Sequence, residues 1–361
     1  MHVALVGLGN IGSHAVPLLA SIPEVTRLTL IDKDRYEAGN LGGQAIRRAD
    51  VGRSKAAAQA ARIRREHPDV GIEAVCEDVR SLPLGRLQCD VLLAAVDTRA
   101  ARQYLNEACW TLGVPWIDSG VDPGGGLARI NVFEPGETGP CLECGWDDRH
   151  YAALEASYPC QASTPAGMRA SPHPVGMART NAPAALGCLA AALLAIECAK
   201  VLRDERDRAA IGRQVVLDAA WHKHHVATVG RNPRCRFSHR TLPVASAPAA
   251  PLNTAIGELF ARTPGGCLSV ACAGAFAKRA VCGACGSTSA VPRLARGFKC
   301  SRCRRAMDVS GFGLSSVLRE TDMPASALRR PLPRFGVREG DLVMVENGAG
   351  SQCVRIGAAH A

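Results

Sequence analysis

No apolar run in this sequence reaches the roughly 20 residues that a membrane-spanning helix requires; the longest, Ala184 to Ile196, stops well short. Nor is there a basic N-terminal stretch followed by an apolar one. Met1 to Gly7 enters a strand-like pattern directly, so no signal peptide and no membrane are expected, and the cytoplasm is the default location. No internal repeat of fixed period is present. The first 240 residues lack a strong charge of either sign, with 28 Lys and Arg against 26 Asp and Glu. Residues 241–361 differ, with 15 against 7, a net +8 of the total +10. The tail therefore holds the basic character that can attract an acidic partner. With 361 residues, 47% of them hydrophobic and 21% charged, wholesale disorder is excluded and a large domain plus a small one is the natural division.

Sixteen cysteines would suit a disulfide scaffold, but a chain of this length without a secretion signal meets a reducing cytosol, where closely spaced cysteines more often hold metal. Cys141/Cys144, Cys282/Cys285 and Cys300/Cys303 have the CxxC spacing. Cys76, Cys109, Cys188 and Cys198 stand singly in apolar stretches and read as small core residues.

The first third alternates short apolar runs with helix-like segments, which predicts a parallel sheet with crossover helices. Candidate strands are His2–Val6, Arg27–Ile31, Gly71–Cys76, Asp90–Val96 and Pro115–Ser119, with an amphipathic helix over Lys55–Arg65. After Gly120 the pattern changes to hairpin strands, Leu127–Phe133 and later Arg213–Asp218 with His224–Val229. The fold class is thus α/β, a Rossmann-like doubly wound mixed sheet. Trp146–Pro183, rich in Pro, Gly, Ser and Ala, has no clear period and reads as a long functional loop. Thr180-Asn181-Ala182-Pro183 supplies a helix start, and the helix to about Arg203 is apolar nearly all round and so should be buried. Thr241–Leu252 is a Pro/Ala-rich linker, which divides the chain into a domain over 1–240 and a basic module over 253–361.

Gly7, Gly9 and Gly12 follow an apolar strand and open a helix. The glycines allow a tight turn and let backbone N–H groups approach a phosphate at the helix N-terminus. Asp32 closes the second strand 20 residues after Gly12, where a carboxylate can accept ribose hydroxyls. Beyond it come Asp34, Asn40, Gln44, Arg47, Arg48 and Lys55. Amides and cations at that distance suit a triphosphate, whereas a nicotinamide dinucleotide needs little there.

With these motifs in order, residues 1–240 resemble the superfamily of ThiF, MoeB, HesA and the ubiquitin-activating enzymes, which adenylate the C-terminal glycine carboxylate of ubiquitin-like or sulfur-carrier proteins. The resemblance implies that Gly7, Gly9 and Gly12 line the nucleotide loop and that Asp32 holds the ribose. It places Asn40, Gln44 and Lys55 on the phosphates and Asp97, just past the fourth strand, on Mg²⁺ beside the scissile phosphate. A helix N-cap is the plain alternative for Asp97. Where the family carries an Arg this chain has Gly43, and Arg47 or Arg48 is expected to supply that charge from the next turn. The family's helix before the first strand, which donates an Arg to a partner subunit, has no room ahead of Met1-His2-Val3. The resemblance also implies a homodimer, a small ubiquitin-fold partner ending in glycine and, in some pathways, a conjugating enzyme. Cys160, in Tyr158-Pro-Cys160 of the long loop, matches the crossover segment on which relatives carry a thioester-forming cysteine.

Family members hold structural zinc with two CxxC pairs, the first at the place of Cys141 and Cys144. The second is replaced here by Cys235 and His239, and imidazole is an acceptable tetrahedral ligand. Independently of the resemblance, Cys282, Cys285, Cys300 and Cys303 form two knuckles separated by fourteen residues, close to zinc-ribbon spacing. Arg293, Arg296, Lys299, Arg302, Arg304 and Arg305 surround them, with only Phe298 for base stacking, so nucleic acid is less favoured than an acidic protein partner or a solvated face. His222, His224 and His225 read as a solvent-facing strand edge. The expected cofactors are ATP, Mg²⁺ and Zn²⁺ at two structural sites. The competing functional readings are an NAD(P)- or FAD-dependent oxidoreductase on the same glycine loop and a non-catalytic zinc-ribbon scaffold.

Overall fold

The computed structural model describes residues 1–157, 182–263, 265–278, 280–289, 292–296, 299–300, 302–305, 313–348 and 350–357. The chain forms two compact units, one of residues 1–77 and 89–239, the other of residues 78–88 and 240–361.

The first unit is built on an eight-stranded sheet. Its elements are β1 (His2–Val6), α1 (Asn10–Ala20), β2 (Arg27–Ile31), α2 (Lys55–Glu66), β3 (Gly71–Val75), β4 (Val91–Ala94), α3 (Arg99–Leu112), β5 (Trp116–Asp122), β6 (Leu127–Phe133), α4 (Asp148–Ser157), α5 (Ala184–Leu202), β7 (Arg213–Asp218) and β8 (Lys223–Thr228). The strand order is β3-β2-β1-β4-β5-β6-β7-β8. The first five strands run parallel, and β5 through β8 pair antiparallel. Strand β1 reads as a continuous apolar run from Val3 to Val6 because both sheet faces are covered; Val3, Leu5, Leu28 and Leu30 are fully buried. Each such side chain contributes roughly 1.5–3 kcal/mol of burial.

Caps set the helix starts. Ser54 Oγ accepts the Ala57 N–H to begin α2, and Thr98 Oγ1 accepts the Ala101 N–H to begin α3. Asp97 is therefore not the cap of α3, because the hydroxyl one residue later already occupies that role. Helix α5 begins after Pro183, which occupies the N-cap position with no side-chain cap, while Thr180 and Asn181 lie outside the described residues. By length and composition its 19 residues could cross a membrane, against the expectation from the shorter apolar run. Its Leu186, Ala190, Ala191, Leu194 and Cys198 are instead buried in the core of this unit.

Helix α4 occupies part of the stretch read as a loop; its weak amphipathic pattern hid it. Residues 158–181, Cys160 among them, lie outside the described residues. Strand β8 is a sheet edge with every residue exposed, and His224 and His225 lie on it.

The second unit contains β9 (Ala249–Ala250), α6 (Ile256–Arg262), β10 (Cys267–Val270), β11 (Phe276–Ala277), β12 (Ala280–Val281), β13 (Thr288–Ser289), β14 (Arg293–Leu294), β15 (Leu314–Ser315), β16 (Leu318–Arg319), α7 (Ala325–Leu328), β17 (Leu342–Asn347) and β18 (Gly350–Ile356). A five-stranded sheet, β16-β10-β17-β18-β9, carries its core, with Leu268, Val343, Val345 and Val354 fully buried. The segment read as a linker thus supplies a strand, since Arg355 and Ile356 pair in parallel with Ala249 and Ala250. Residues 78–88 join this unit through loop contacts. Gly85 N–H donates to the Gly340 carbonyl at 2.8 Å, and a Cβ on Gly85 would fall 2.6 Å from that oxygen.

Candidate functional site

In the strand order, β1 lies between β2 and β4, so the crossovers leave in opposite directions from β1 and β4. Ligands of open α/β sheets bind at that switch point, beyond the carboxyl ends of the strands. Three loops meet there: 7–9 after β1, 32–36 after β2 and 95–97 after β4.

Gly7 has φ +90°, and a Cβ on it would lie 2.4 Å from the Ala95 carbonyl oxygen. A Cβ on Gly12 would lie 1.9 Å from the Gly7 carbonyl oxygen. Both glycines are therefore required by close backbone approach, which presses the first loop against the third. Gly9 has open space around its Cβ position, and it forms the N-cap of α1.

The second loop clasps the first. Asp32 Oδ2 accepts the Leu8 N–H at 2.7 Å and Oδ1 accepts the Asp34 N–H at 2.8 Å. Each carboxylate oxygen keeps a second lone pair. Burial raises the Asp32 pKa, opposed by the Asp34 amide, Lys55 and the Leu8 amide. Tyr36 donates its hydroxyl to the Leu8 carbonyl at 3.1 Å and accepts from Gln59 Nε2 at 2.9 Å. Lys55, the first residue of α2, is largely buried; its ammonium lies 3.8 Å from Asp34 Oδ2 and 5.9 Å from the Tyr36 ring centre. Asp32, Asp34 and Lys55 are thus brought together beside the glycine loop.

The turn after them is held by its own side chains. Asn40 Oδ1 accepts the Glu37 N–H at 2.9 Å. Asn10 Nδ2 donates to the carbonyls of Gly43 at 2.6 Å and Ala182 at 3.0 Å. A Cβ on Gly43 would sit 3.0 Å from the Ala182 oxygen, so a larger residue there would press on that carbonyl. Gln44 Oε1 is buried without a hydrogen-bond partner. Arg47 and Arg48 are exposed in a short turn, and among the described residues neither makes an ion pair.

Asp97 is exposed at the end of the third loop. Behind it lies a charge cluster that the sequence motifs did not reveal. Asp118, fully buried on β5, accepts Arg102 Nη1 and Arg129 Nη1, each at 3.2 Å, and Asn131 Nδ2 at 3.3 Å. Arg102 also donates to the Val96 carbonyl at 2.7 Å and the Ser119 carbonyl at 3.1 Å, fixing the loop that presents Asp97. Gly120 makes room for it: a Cβ there would lie 3.2 Å from Arg129 Nη2 and 3.3 Å from Arg102 Nη2.

Two side-chain clusters could each hold a metal ion. In the first unit Cys141, Cys144, Cys235 and His239 converge, with Cys141 Sγ 3.8 Å from Cys144 Sγ and 3.7 Å from Cys235 Sγ, and Cys144 Sγ 3.3 Å from His239 Nε2. Thiolates about 2.3 Å from a tetrahedral zinc stand about 3.8 Å apart, so the donor set fits the ion. The Cys141 thiol donates to Cys144 and lowers its pKa, while burial raises that of Cys235. Trp110 packs edge-on against His239 and Phe237 at 4.9 and 6.1 Å. In the second unit Cys282 lies 3.4 Å from Cys303, and Cys285 lies 3.6 Å from Cys300. Each half is a tight knuckle: Gly286 N–H donates to the Cys282 carbonyl and Arg304 N–H to the Cys300 carbonyl. Backbone amides of that turn, with the Cys303 amide foremost, lower Cys300 to about 6.

The chain is similar to ubiquitin-like modifier-activating enzyme 5 of Oryza sativa subsp. japonica, 31% identical over 189 residues, covering 46% of this chain and 44% of that one. It is also similar to SUMO-activating enzyme subunit 2 of Dictyostelium discoideum, 31% identical over 146 residues, covering 39% of this chain and 22% of that one. The chain spans less than half the length of these curated relatives. Among solved structures, E. coli MccB shares the fold, with a TM-score of 0.51, 22% identity and coverage of 65% of this chain and 66% of that one. The ThiF family model matches residues 1–237, and the chain belongs to the ThiF family.

Proposed function

We propose that the chain adenylates the C-terminal glycine carboxylate of a small ubiquitin-fold or sulfur-carrier protein, using ATP and Mg²⁺. One observation carries the reading: the glycine loop, the Asp32/Lys55 loop and the Asp97 loop meet at the switch point of the sheet. Backbone amides at the start of α1 face the place where phosphates sit on such loops. The free lone pairs of Asp32 take the ribose hydroxyls, and Lys55 neutralises phosphate charge, exchanging its partner Asp34 for the nucleotide. Asn40, Gln44, Arg47 and Arg48 lie on the turn that would flank the triphosphate. Asp97 would hold the magnesium, which when bound supplies charge stabilisation at the scissile phosphate. The carboxylate oxygen of the carrier attacks the α-phosphorus, the bond to the β-phosphate oxygen breaks, and pyrophosphate leaves. Lys55 stabilises the charge that develops.

The names of the relatives support a ubiquitin-like substrate, and a structure of E. coli MccB with ATP, at a TM-score of 0.50, supports the nucleotide. We assign structural zinc to both clusters, the second as a zinc ribbon whose basic surroundings suit an acidic protein partner. A homodimer, a downstream conjugating enzyme and a cytoplasmic location belong to the same reading. Pyrophosphate exchange into ATP, assayed with small ubiquitin-fold proteins ending in glycine, tests it. Exchange that depends on the carrier supports adenylation, and no exchange with any carrier, despite ATP binding, contradicts it.

A further inference from the structure

A cavity of about 520 Å³ opens on the first unit, bounded by α3, the short turn Leu142–Gly145, α4 and residues 236–237. The Cys141/Cys144/Cys235/His239 cluster builds part of its wall. Glu143 stands between the first two of these residues, and Arg236 and Phe237 stand between the last two; all three line the cavity. Ala100, Gln103 and Tyr104 line it from one face of α3. The Leu142 N–H donates to Asn106 Oδ1 of α3 at 2.9 Å and so fixes the turn that presents Glu143.

Glu143 is only 4% exposed, and one carboxylate oxygen makes its hydrogen bonds. Oε2 accepts Gln103 Nε2 at 3.3 Å and the Tyr151 hydroxyl at 3.0 Å. Both donors are neutral. Among the described residues Oε1 accepts no hydrogen bond, yet it keeps solvent contact, and no cation pairs with Glu143. The cation that lines the cavity, Arg236, is committed elsewhere: its guanidinium bonds Asp148 Oδ1 at 2.8 Å and lies 4.1 Å from the centre of the Tyr151 ring. A buried carboxylate is costly unless a cation or further donors meet it. The rings of Tyr104 and Phe237 line the same cavity, and aromatic faces attract cations.

We propose that this cavity is a binding site for an organic cation, a guanidinium above all. The N–H groups of the ligand meet Glu143 Oε1, and its planar fork lies against the Tyr104 and Phe237 rings. The same chemistry comes from a free guanidino compound or from an arginine side chain of a partner protein. The site is independent of the adenylation reading, since none of the residues assigned to the nucleotide lines it.

Calorimetric titration of the full-length protein with agmatine, and separately with an acetylated and amidated Gly-Arg-Gly peptide, tests the proposal. Saturable binding is expected. Tighter binding of agmatine identifies a free ligand, and tighter binding of the peptide identifies a protein partner. The matching citrulline peptide, in which a neutral urea replaces the guanidinium, should bind at least about tenfold more weakly. Glu143→Gln should weaken binding by a similar factor with the melting temperature unchanged. Because Glu143 lies inside the cysteine turn, Ala100→Trp provides a second variant that fills the cavity from α3 and should abolish binding. No binding of either probe at millimolar concentration, citrulline bound as tightly as arginine, or binding indifferent to both substitutions would overturn the proposal.

Discussion

The backbone N–H of Leu8 lies 2.7 Å from Oδ2 of Asp32, so the acid that closes β2 also holds the loop that opens α1. A residue placed to meet a ribose is thereby part of the scaffold of the phosphate loop. Replacing Asp32 should disturb both functions together.

The tightest approach in that loop is between Gly12 and Gly7. A methyl group on Gly12 would stand 1.9 Å from the Gly7 carbonyl oxygen, and backbone, not a flexible side chain, would have to yield. Gly12→Ala is expected to cost about 1–3 kcal/mol, lowering the melting temperature of the first unit by several degrees. Calorimetry with and without ATP should show the nucleotide-induced rise lost as well.

Burial raises the Asp32 pKa, and Lys55 opposes that rise. The folded chain therefore holds this proton more tightly than the unfolded one. The contribution of Asp32 to stability is full below the ordinary aspartate value and is lost as pH rises through the folded pKa. Lys55→Ala removes the opposing cation, so Asp32 should titrate at higher pH still. Carboxyl-carbon NMR across pH 3 to 7 would show the displacement; an Asp32 that titrates at or below the ordinary aspartate value contradicts it.

Asp118 is fully buried and binds two guanidinium groups, Arg102 and Arg129. Truncation to alanine strands both cations, at a cost of about 3–5 kcal/mol. Urea denaturation of Asp118→Ala should show this loss. Because Arg102 also holds the Val96 carbonyl, the Asp97 loop should become more open to hydrogen exchange.

The two cysteine clusters lie in different units. Elemental analysis should find zinc at both, and Cys141→Ser and Cys300→Ser should each remove one ion while leaving the other. Chelation should lower the melting temperature of wild-type protein. Zinc-free protein that melts unchanged would remove the structural role.

Much of the first unit is legible in the residues themselves. Strands β1, β2, β6 and β7 begin and end where the apolar runs do, because buried parallel and hairpin strands leave continuous or alternating patterns. Helix α4 escapes such reading, since Asp148–Ser157 has little amphipathic pattern. Residues 78–88 give no sign that they pack with 240–361; the contact joins Gly85 N–H to the Gly340 carbonyl and Arg338 to the Ser81 carbonyl, partners far apart in sequence that no local pattern reports. Glycines, Asp32, Lys55 and the paired cysteines carry their chemistry in local spacing. Arg102, Asp118 and Arg129 do not, because they are united only by the folding of α3, β5 and β6. Cys188 escapes the sequence for the same reason: its apolar neighbours suggest a core position, whereas folding sets it on an exposed helix face next to His14.

Binding calorimetry with ATP, Mg²⁺ and NAD as competing ligands tests the central claim most directly, namely that three loops at the switch point form a triphosphate site. The account predicts saturable binding of Mg-ATP, weakened at least tenfold in Lys55→Ala and insensitive to Mg²⁺ in Asp97→Ala, with NAD neither binding nor competing. Binding of NAD in preference to ATP, or Mg-ATP binding indifferent to both substitutions, would contradict it.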